Sequence, residues 1–297
     1  MDDFQQVIKD WSAWRAVAQN TTAFTPLIQR IYSSENEPFK TPAAVANPYL
    51  AVFTVGTSQI AIFPPSEIAT ATRDVYQTER FSLIRMARQR VMAPQLMHAG
   101  FVFDAYQFYY LIYKPLAGVT LRAFCQTAEP IAKTTLGRQI GTIFNQLAGP
   151  VAAFNQRVNT PAADDAWAAL APNLPAERQR WLAAHPVATD CFVHGTLSGD
   201  NLIVTSGQVG LQRFERALQG PREVELVALI ANVFNWDADL LAGFQATYSG
   251  GPLVPALVTG ILLSPDGPAC WQRLWPQQTS SLAELSAQLK LKLCRKE

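Results

Sequence analysis

The side chains able to do chemistry are concentrated in residues 192–229, which read FVHGTLSGDNLIVTSGQVGLQRFERALQGPREVELVAL. This stretch holds His194, Thr196, Asp200, Asn201, Arg213, Glu215 and Glu225 within 38 residues. A positioned carboxylate can take a proton from a reacting hydroxyl. The amide oxygen of Asn201 is a hard ligand of the kind magnesium accepts, although that ion usually takes one or two carboxylates as well. Thr196 cannot act as a base near neutral pH, because the pKa of its hydroxyl lies far too high. Outside the stretch the reactive residues are scattered. Cys125, Cys191, Cys270 and Cys294 form no CxxC pair and have no histidine at ligand spacing, so neither a metal site nor a disulfide framework is expected. His98 and His185 have no visible partners and read as structural or surface residues.

The order of these residues resembles the catalytic core of the aminoglycoside phosphotransferase, fructosamine kinase and choline kinase group. That group carries H-G-D-L-x-x-x-N, a short hairpin, I-D-F/W-E and then G-P-x-x-x-D-L-A. Here His194, Gly195, Leu197 and Asn201 fit the first motif. Residues 202–205 and 208–211 supply the hairpin, turning at Ser206 and Gly207. Phe214, Glu215, Gly220, Pro221, Leu226 and Ala228 fit the later motifs. Upstream, Glu79 resembles the glutamate of the group's αC helix, and residues 108–121, ending in Gly118-Val119-Thr120-Leu121, resemble its fifth strand and hinge. The resemblance covers most of residues 49–229.

What the resemblance implies is a protein-kinase-like fold without its phosphoryl-transfer chemistry. Such transfer depends on positioning and charge neutralisation. The catalytic-loop aspartate falls at Thr196 and the metal-binding aspartate at Arg213. A guanidinium opposes a metal ion there, since two unit charges about 4 Å apart interact by roughly 4 kcal/mol at intermediate dielectric. The strand-three lysine that holds the nucleotide phosphates falls at or near Phe63, and no lysine lies between Lys40 and Lys114. No glycine lies between Thr21 and Val55, so no glycine-rich phosphate loop is expected. Asp200 stands beside Asn201 but points to a different side, and Glu215 matches the group's own structural glutamate. By the same resemblance His194 braces the loop, and Glu225 steadies it through backbone amides. Arg213 is a candidate partner for Glu79, with an anion or plain solvent as its other options.

The expected inventory is therefore no working catalytic residue, with Thr196 and Arg213 degenerate and His194 and Asn201 retained. Glu79, Asn201 and Lys114 form a vestigial cofactor cleft, and no metal site and no cofactor are expected. Two readings stay open: a pseudokinase acting as a binding or regulatory module, or an active small-molecule kinase with relocated groups. The second would use ATP and magnesium on an aminoglycoside, fructosamine or choline-like alcohol.

The elements that must position these residues follow from periodicity. Residues 2–19 carry apolar residues at helical spacing, with Asp2 or Asp3 as cap. Residues 27–32, 49–55 and 60–63 are short, β-branched and aromatic runs that read as strands, with a hairpin turn at residues 56–59. A helix is predicted over 66–91 with Ser66 as its cap, putting Glu79, Leu83 and Met86 on one face. Strands follow at 100–104 and 108–113. Helices are predicted at 121–126, 129–147, 221–235, 238–248, 252–263 and 278–294, with loop and short helix over 156–178 anchored by Trp167. Strands, one helix, strands and then helices give an α+β, bilobed fold: a small antiparallel-sheet N-lobe with an αC helix, and a larger helical C-lobe. The boundaries are an N-terminal lobe at 1–113, a hinge at 114–118 and a C-terminal lobe at 119–297.

Composition excludes several classes. With 49% hydrophobic and 16% charged residues the chain has the makings of a folded core. A net charge of +1 supplies no field for nucleic acid or an anionic membrane. Lys290, Lys292, Arg295 and Lys296 read as a solvated helix end. No apolar run is long enough to span a bilayer and no signal peptide is evident. The expected setting is cytoplasmic, with an unidentified protein or small-molecule ligand as partner.

Overall fold

The computed structural model describes residues 3–275 and 280–294. The predicted cap Asp2 and the basic residues Arg295 and Lys296 lie outside the described residues, as does the predicted start of the last helix at 278. The chain divides into two compact units, Met1–Ala117 and Gly118–Glu297.

The first unit begins with α1 (Trp11–Val17) and α2 (Thr21–Ser34). Strands β1 (Ala43–Val45), β2 (Ala51–Val55) and β3 (Ser58–Ile62) follow, then α3 (Thr72–Gln89), β4 (Gln95–Phe103) and β5 (Gln107–Lys114). The five strands form one antiparallel sheet in the order β1-β2-β3-β5-β4. Its core is aromatic. Phe24 packs against Phe4 and Phe53 with ring centroids 4.9 and 5.3 Å away, and Phe4 meets Phe108 at 5.2 Å.

Three predictions for this unit are corrected. The helix over 2–19 shrinks to α1, capped by Asp10, whose side chain accepts from Ala13 N at 2.8 Å. Residues 4–9 are irregular because tertiary bonds hold their backbone: Asp104 accepts from Asp3 N and Phe4 N, and Tyr106 Oη accepts from Ile8 N at 2.8 Å. Residues 27–32 are not a strand but the middle of α2. Asn20 caps it through Ala23 N, and Phe24, Leu27, Ile28 and Ile31 are buried on one face at helical spacing. That periodicity outweighs the β-branched composition. The long helix starts at Thr72 rather than at Ser66, after Pro64 and Pro65; Thr72 Oγ1 donates to Pro64 O at 2.8 Å. Glu79, Leu83 and Met86 are buried on α3.

The second unit contains β6 (Val119–Thr120), α4 (Leu121–Cys125), α5 (Pro130–Leu147), α6 (Asp164–Ala168), α7 (Leu174–Ala184) and β7 (Cys191–Val193). Next come β8 (Leu202–Thr205), β9 (Gln208–Leu211), β10 (Leu218–Gly220) and α8 (Arg222–Val227), which runs into one π-helical turn at Ala228–Val233. It ends with α9 (Ala238–Thr247), α10 (Leu253–Leu263), α11 (Gly267–Leu274) and α12 (Leu282–Cys294). Helix α11 and most of α7 were not predicted. The strands are minor: β6-β8-β9 form one small sheet and β7-β10 another. The class is α+β, with a small antiparallel-sheet unit and a mainly helical one. No described helix is long and apolar enough to cross a membrane.

Helices α5 and α9 cross at glycine. A Cβ on Gly243 would stand 2.0 Å from Thr134 O, and one on Gly137 would stand 2.2 Å from Leu240 O. This approach lets Phe144 meet Phe244 edge-on at 5.8 Å. Gly243→Ala gains up to about 1 kcal/mol of helix propensity. It loses more by overpacking, which typically costs about 1–3 kcal/mol. The expected outcome in thermal unfolding is a lower Tm. A Tm equal to or above that of the parent would show that the helices separate without cost.

Candidate functional site

The site is built around the loop between β7 and β8. Strand β7 ends at Val193 and pairs antiparallel with β10, placing Cys191 opposite Gly220. The chain therefore leaves this small ribbon at His194 on one strand and enters α8 from the other. Glu225, one turn into α8, comes back under the loop. Its carboxylate accepts from His194 N at 2.9 Å and from Gly195 N at 3.0 Å, the structural role that the resemblance implies. Gly195 has φ +80, and a Cβ there would stand 2.0 Å from Arg216 O. Only glycine fits this turn.

His194 is buried, and its Nε2 lies 3.0 Å from Gln212 O, which fixes Nε2 as the protonated nitrogen. Its ring packs on Phe214 at 4.8 Å. Asn201 is also buried. Its Nδ2 donates to Thr196 O at 2.6 Å, and its own carbonyl accepts from Gln212 N at 3.0 Å. The hairpin then runs in the predicted register, with Leu202 opposite Leu211 and Thr205 opposite Gln208. Ser206 and Gly207 take φ +48 and +75 at its two-residue turn, the signature of a primed hairpin turn. Both loop ends are thus tied to the segment that carries Arg213.

The other predicted residues fall as follows. Thr196 is half-buried in the loop, and its carbonyl is used by Asn201. Asp200 is exposed and held in a fork by Arg122, Nε to Oδ1 at 3.0 Å and the second nitrogen to Oδ2 at 3.2 Å. It is turned toward α4, not into the position of Thr196. Arg213 has φ +67, and within its own unit the carboxylate facing its guanidinium is Glu215, at 3.9 Å. Burial raises the pKa of Glu215, opposed by its backbone hydrogen bond and by Arg213. Glu79, Lys114 and Phe63 belong to the first unit. Glu79 is buried on α3 and Lys114 is exposed at the end of β5. Phe63, at or near the position matched to the strand-three lysine, is fully buried against Tyr76 of α3 at 5.6 Å. Sequence reasoning missed the Arg122–Asp200 fork, which joins residues 78 positions apart with no local signal.

The residues around the loop do not fit a divalent metal. Asn201 is the one neutral ligand candidate, a guanidinium stands at Arg213, and Asp200 is engaged elsewhere. Among the described residues, no group of three or more His, Cys, Asp or Glu side chains is placed to hold a metal ion. The arrangement can hold a loop rigidly, but it presents no free carboxylate at Thr196 to take a proton.

The two buried titratable groups make opposite contributions to stability. Burial lowers the pKa of His194 from 6.5 to about 4, against the bond to Gln212, which raises it. Burial raises Glu225 from 4.5 to about 7, against its two backbone bonds, which lower it. The contribution of Glu225 is full below pH 4.5 and is lost as pH rises through about 7. That of His194 is full above pH 6.5 and is lost as pH falls through about 4. The slopes oppose in the overlap. In His194→Gln, Tm is expected to fall as pH rises over the Glu225 window. In Glu225→Gln it is expected to fall as pH drops over the His194 window. Parallel pH profiles of Tm in the two variants would contradict this.

Comparison with known proteins agrees with the fold. The family model described as the phosphotransferase enzyme family matches residues 61–258, more than half of the chain. A search of curated proteins finds no match. The GDP complex of wild-type aminoglycoside 2'-phosphotransferase-IIIa is similar in structure, with a TM-score of 0.54 and 16% identity over 93% of this chain and 99% of that one. An amicoumacin kinase, hAmiN, in complex with AMP-PNP and Ca2+, gives a TM-score of 0.56 and 14% identity over 89% of this chain and 91% of that one. A choline/ethanolamine kinase family protein from Mesorhizobium loti gives 0.50 and 16% identity over 89% and 91%. These likenesses give a protein-kinase-like fold, and the family match places the chain: it belongs to the phosphotransferase enzyme family.

Proposed function

We propose that this member of the family does not transfer phosphate and serves as a binding or regulatory module. The observation that carries the reading is the loop itself. Thr196 and Arg213 stand where the resemblance puts the two carboxylates, and the neighbouring Asp200 is held in the Arg122 fork at 3.0 Å. Phosphoryl transfer needs a positioned base or water-orienting group and charge neutralisation at the phosphates. A threonine offers no base and an arginine repels the metal. The buried Phe63 adds a third loss, since an aromatic ring cannot pair with a phosphate as a lysine does. The relatives in complex with GDP and AMP-PNP bind nucleotides; this chain is not expected to bind one through magnesium.

One observation favours an active kinase with relocated groups: the loop bracing by His194, Asn201 and Glu225 is complete. Thermal unfolding with ATP, ADP and GTP, each with and without magnesium, separates the two readings, because a ligand that binds the native state raises Tm by mass action. The expected outcome is no magnesium-dependent rise and no ATP consumption with an amino sugar, a fructosamine or choline. Turnover that Asn201→Ala abolishes would overturn the proposal.

A further inference from the structure

A cavity of about 660 Å³ opens beside the loop, lined by Thr196 and Glu225 and by residues from three other segments of the second unit. Its charge is the opposite of what an amine needs. Arg157, Arg216 and Arg273 line it, against two carboxylates, Glu225 and Asp266. Both carboxylates are engaged. Glu225 is buried and binds the His194 and Gly195 amides, and Asp266 accepts from the Ser264 hydroxyl. Arg216 and Arg273 are exposed, and neither has a carboxylate partner among the described residues. Among the described residues Arg273 reaches the Cys270 sulfur, at 3.8 Å. The backbone of Arg216 is fixed against Gly195, so its side chain starts from a rigid point at the loop. The amide of Asn232 adds a neutral group to the wall.

A guanidinium presents several N–H donors in a planar fork that matches phosphate oxygens in pairs, and is a preferred group for anion recognition. Two exposed guanidiniums, Arg216 and Arg273, lining a cavity of this size suit a small dianion with a modest organic body. A choline or amino-sugar cation would meet the charge of Arg216 and Arg273 and two carboxylates that are already hydrogen-bonded.

We infer that this cavity is a binding site for a small organic phosphate, held by Arg216 and Arg273 with Arg157 in the wall. The inference does not depend on whether the chain transfers phosphate, since it concerns which ligand charge the cavity accepts.

The test is isothermal titration calorimetry of the full chain at matched ionic strength with four probes: inorganic phosphate, glycerol 3-phosphate, citrate and choline. Glycerol 3-phosphate is expected to bind more tightly than inorganic phosphate, and choline not at all. Loss of a hydrogen bond to a charged group weakens binding by about tenfold or more, so Arg216→Gln and Arg273→Gln should each do so. Arg216→Lys keeps the charge without the fork and should fall between the parent and Arg216→Gln. Both arginines are exposed, so the variants should match the parent in Tm, which is measured alongside. Phosphate binding that is equal in the parent and both glutamine variants would overturn the inference. So would choline binding, or citrate binding tighter than both phosphates.

Discussion

The site depends on one buried carboxylate. Glu225 takes the backbone amides of His194 and Gly195 at 2.9 and 3.0 Å, and the first of these bonds is buried. An unsatisfied buried amide costs about 1–3 kcal/mol, so the turn at His194 is weakened by about that much without it. Burial and these bonds pull the acid in opposite directions, and burial wins, lifting its pKa to about 7. The group is thus expensive to ionise and yet the acceptor on which the turn relies. Everything downstream in the loop follows from the turn it holds: the tight Gly195, the buried His194 ring, and the Asn201 amide closed onto Thr196 O.

The loop's architecture does not depend on the side chains at positions 196 and 213. The bonds that shape the loop run between backbone groups and three side chains: His194, Asn201 and Glu225. The side chains at positions 196 and 213 are not among the donors or acceptors of that frame. Thr196 contributes only its carbonyl, which any residue would supply. A carboxylate can be exchanged at either place without removing a hydrogen bond from the loop. Stability and phosphoryl transfer are therefore separable here, in line with the rule that function lives in sites set on a fold.

Legibility in the sequence varied with how local the cause was. The β8–β9 hairpin was readable to the residue, because Ser206-Gly207 dictates a two-residue turn and the flanking apolar runs fix the register. Glu225 and His194 were readable because motif spacing carries them. The N-terminal segment was not, since its backbone is held by Asp104 and Tyr106, about a hundred residues away. Residues 27–32 were misread because Ile and Tyr suit either structure, and only the wider pattern from Phe24 to Ile31 reveals the helix. The Arg122–Asp200 fork and the arginine-lined cavity were invisible for a common reason: their members come from segments that meet only after folding.

Arg213 shows how firmly the backbone is set from outside the residue. Its φ of +67 lies in the left-handed region. Aspartate and asparagine visit that region several-fold more often than other non-glycine residues, and the conformation costs roughly 1–2 kcal/mol for an ordinary side chain. An aspartate there would sit at less cost, yet the backbone holds the conformation with an arginine in place. The neighbours enforce it: Gln212 is bonded at both its amide and its carbonyl, to Asn201 and His194, and Phe214 is buried against the His194 ring. With both flanks fixed, the left-handed conformation of residue 213 is held from either side. Its side chain is then free to change sign while the chain trace stays the same, and the partial offset comes from Glu215, the acid that faces it at 3.9 Å. The turn at residue 213 is thus set by its flanks and carries a cation with an acid 3.9 Å away.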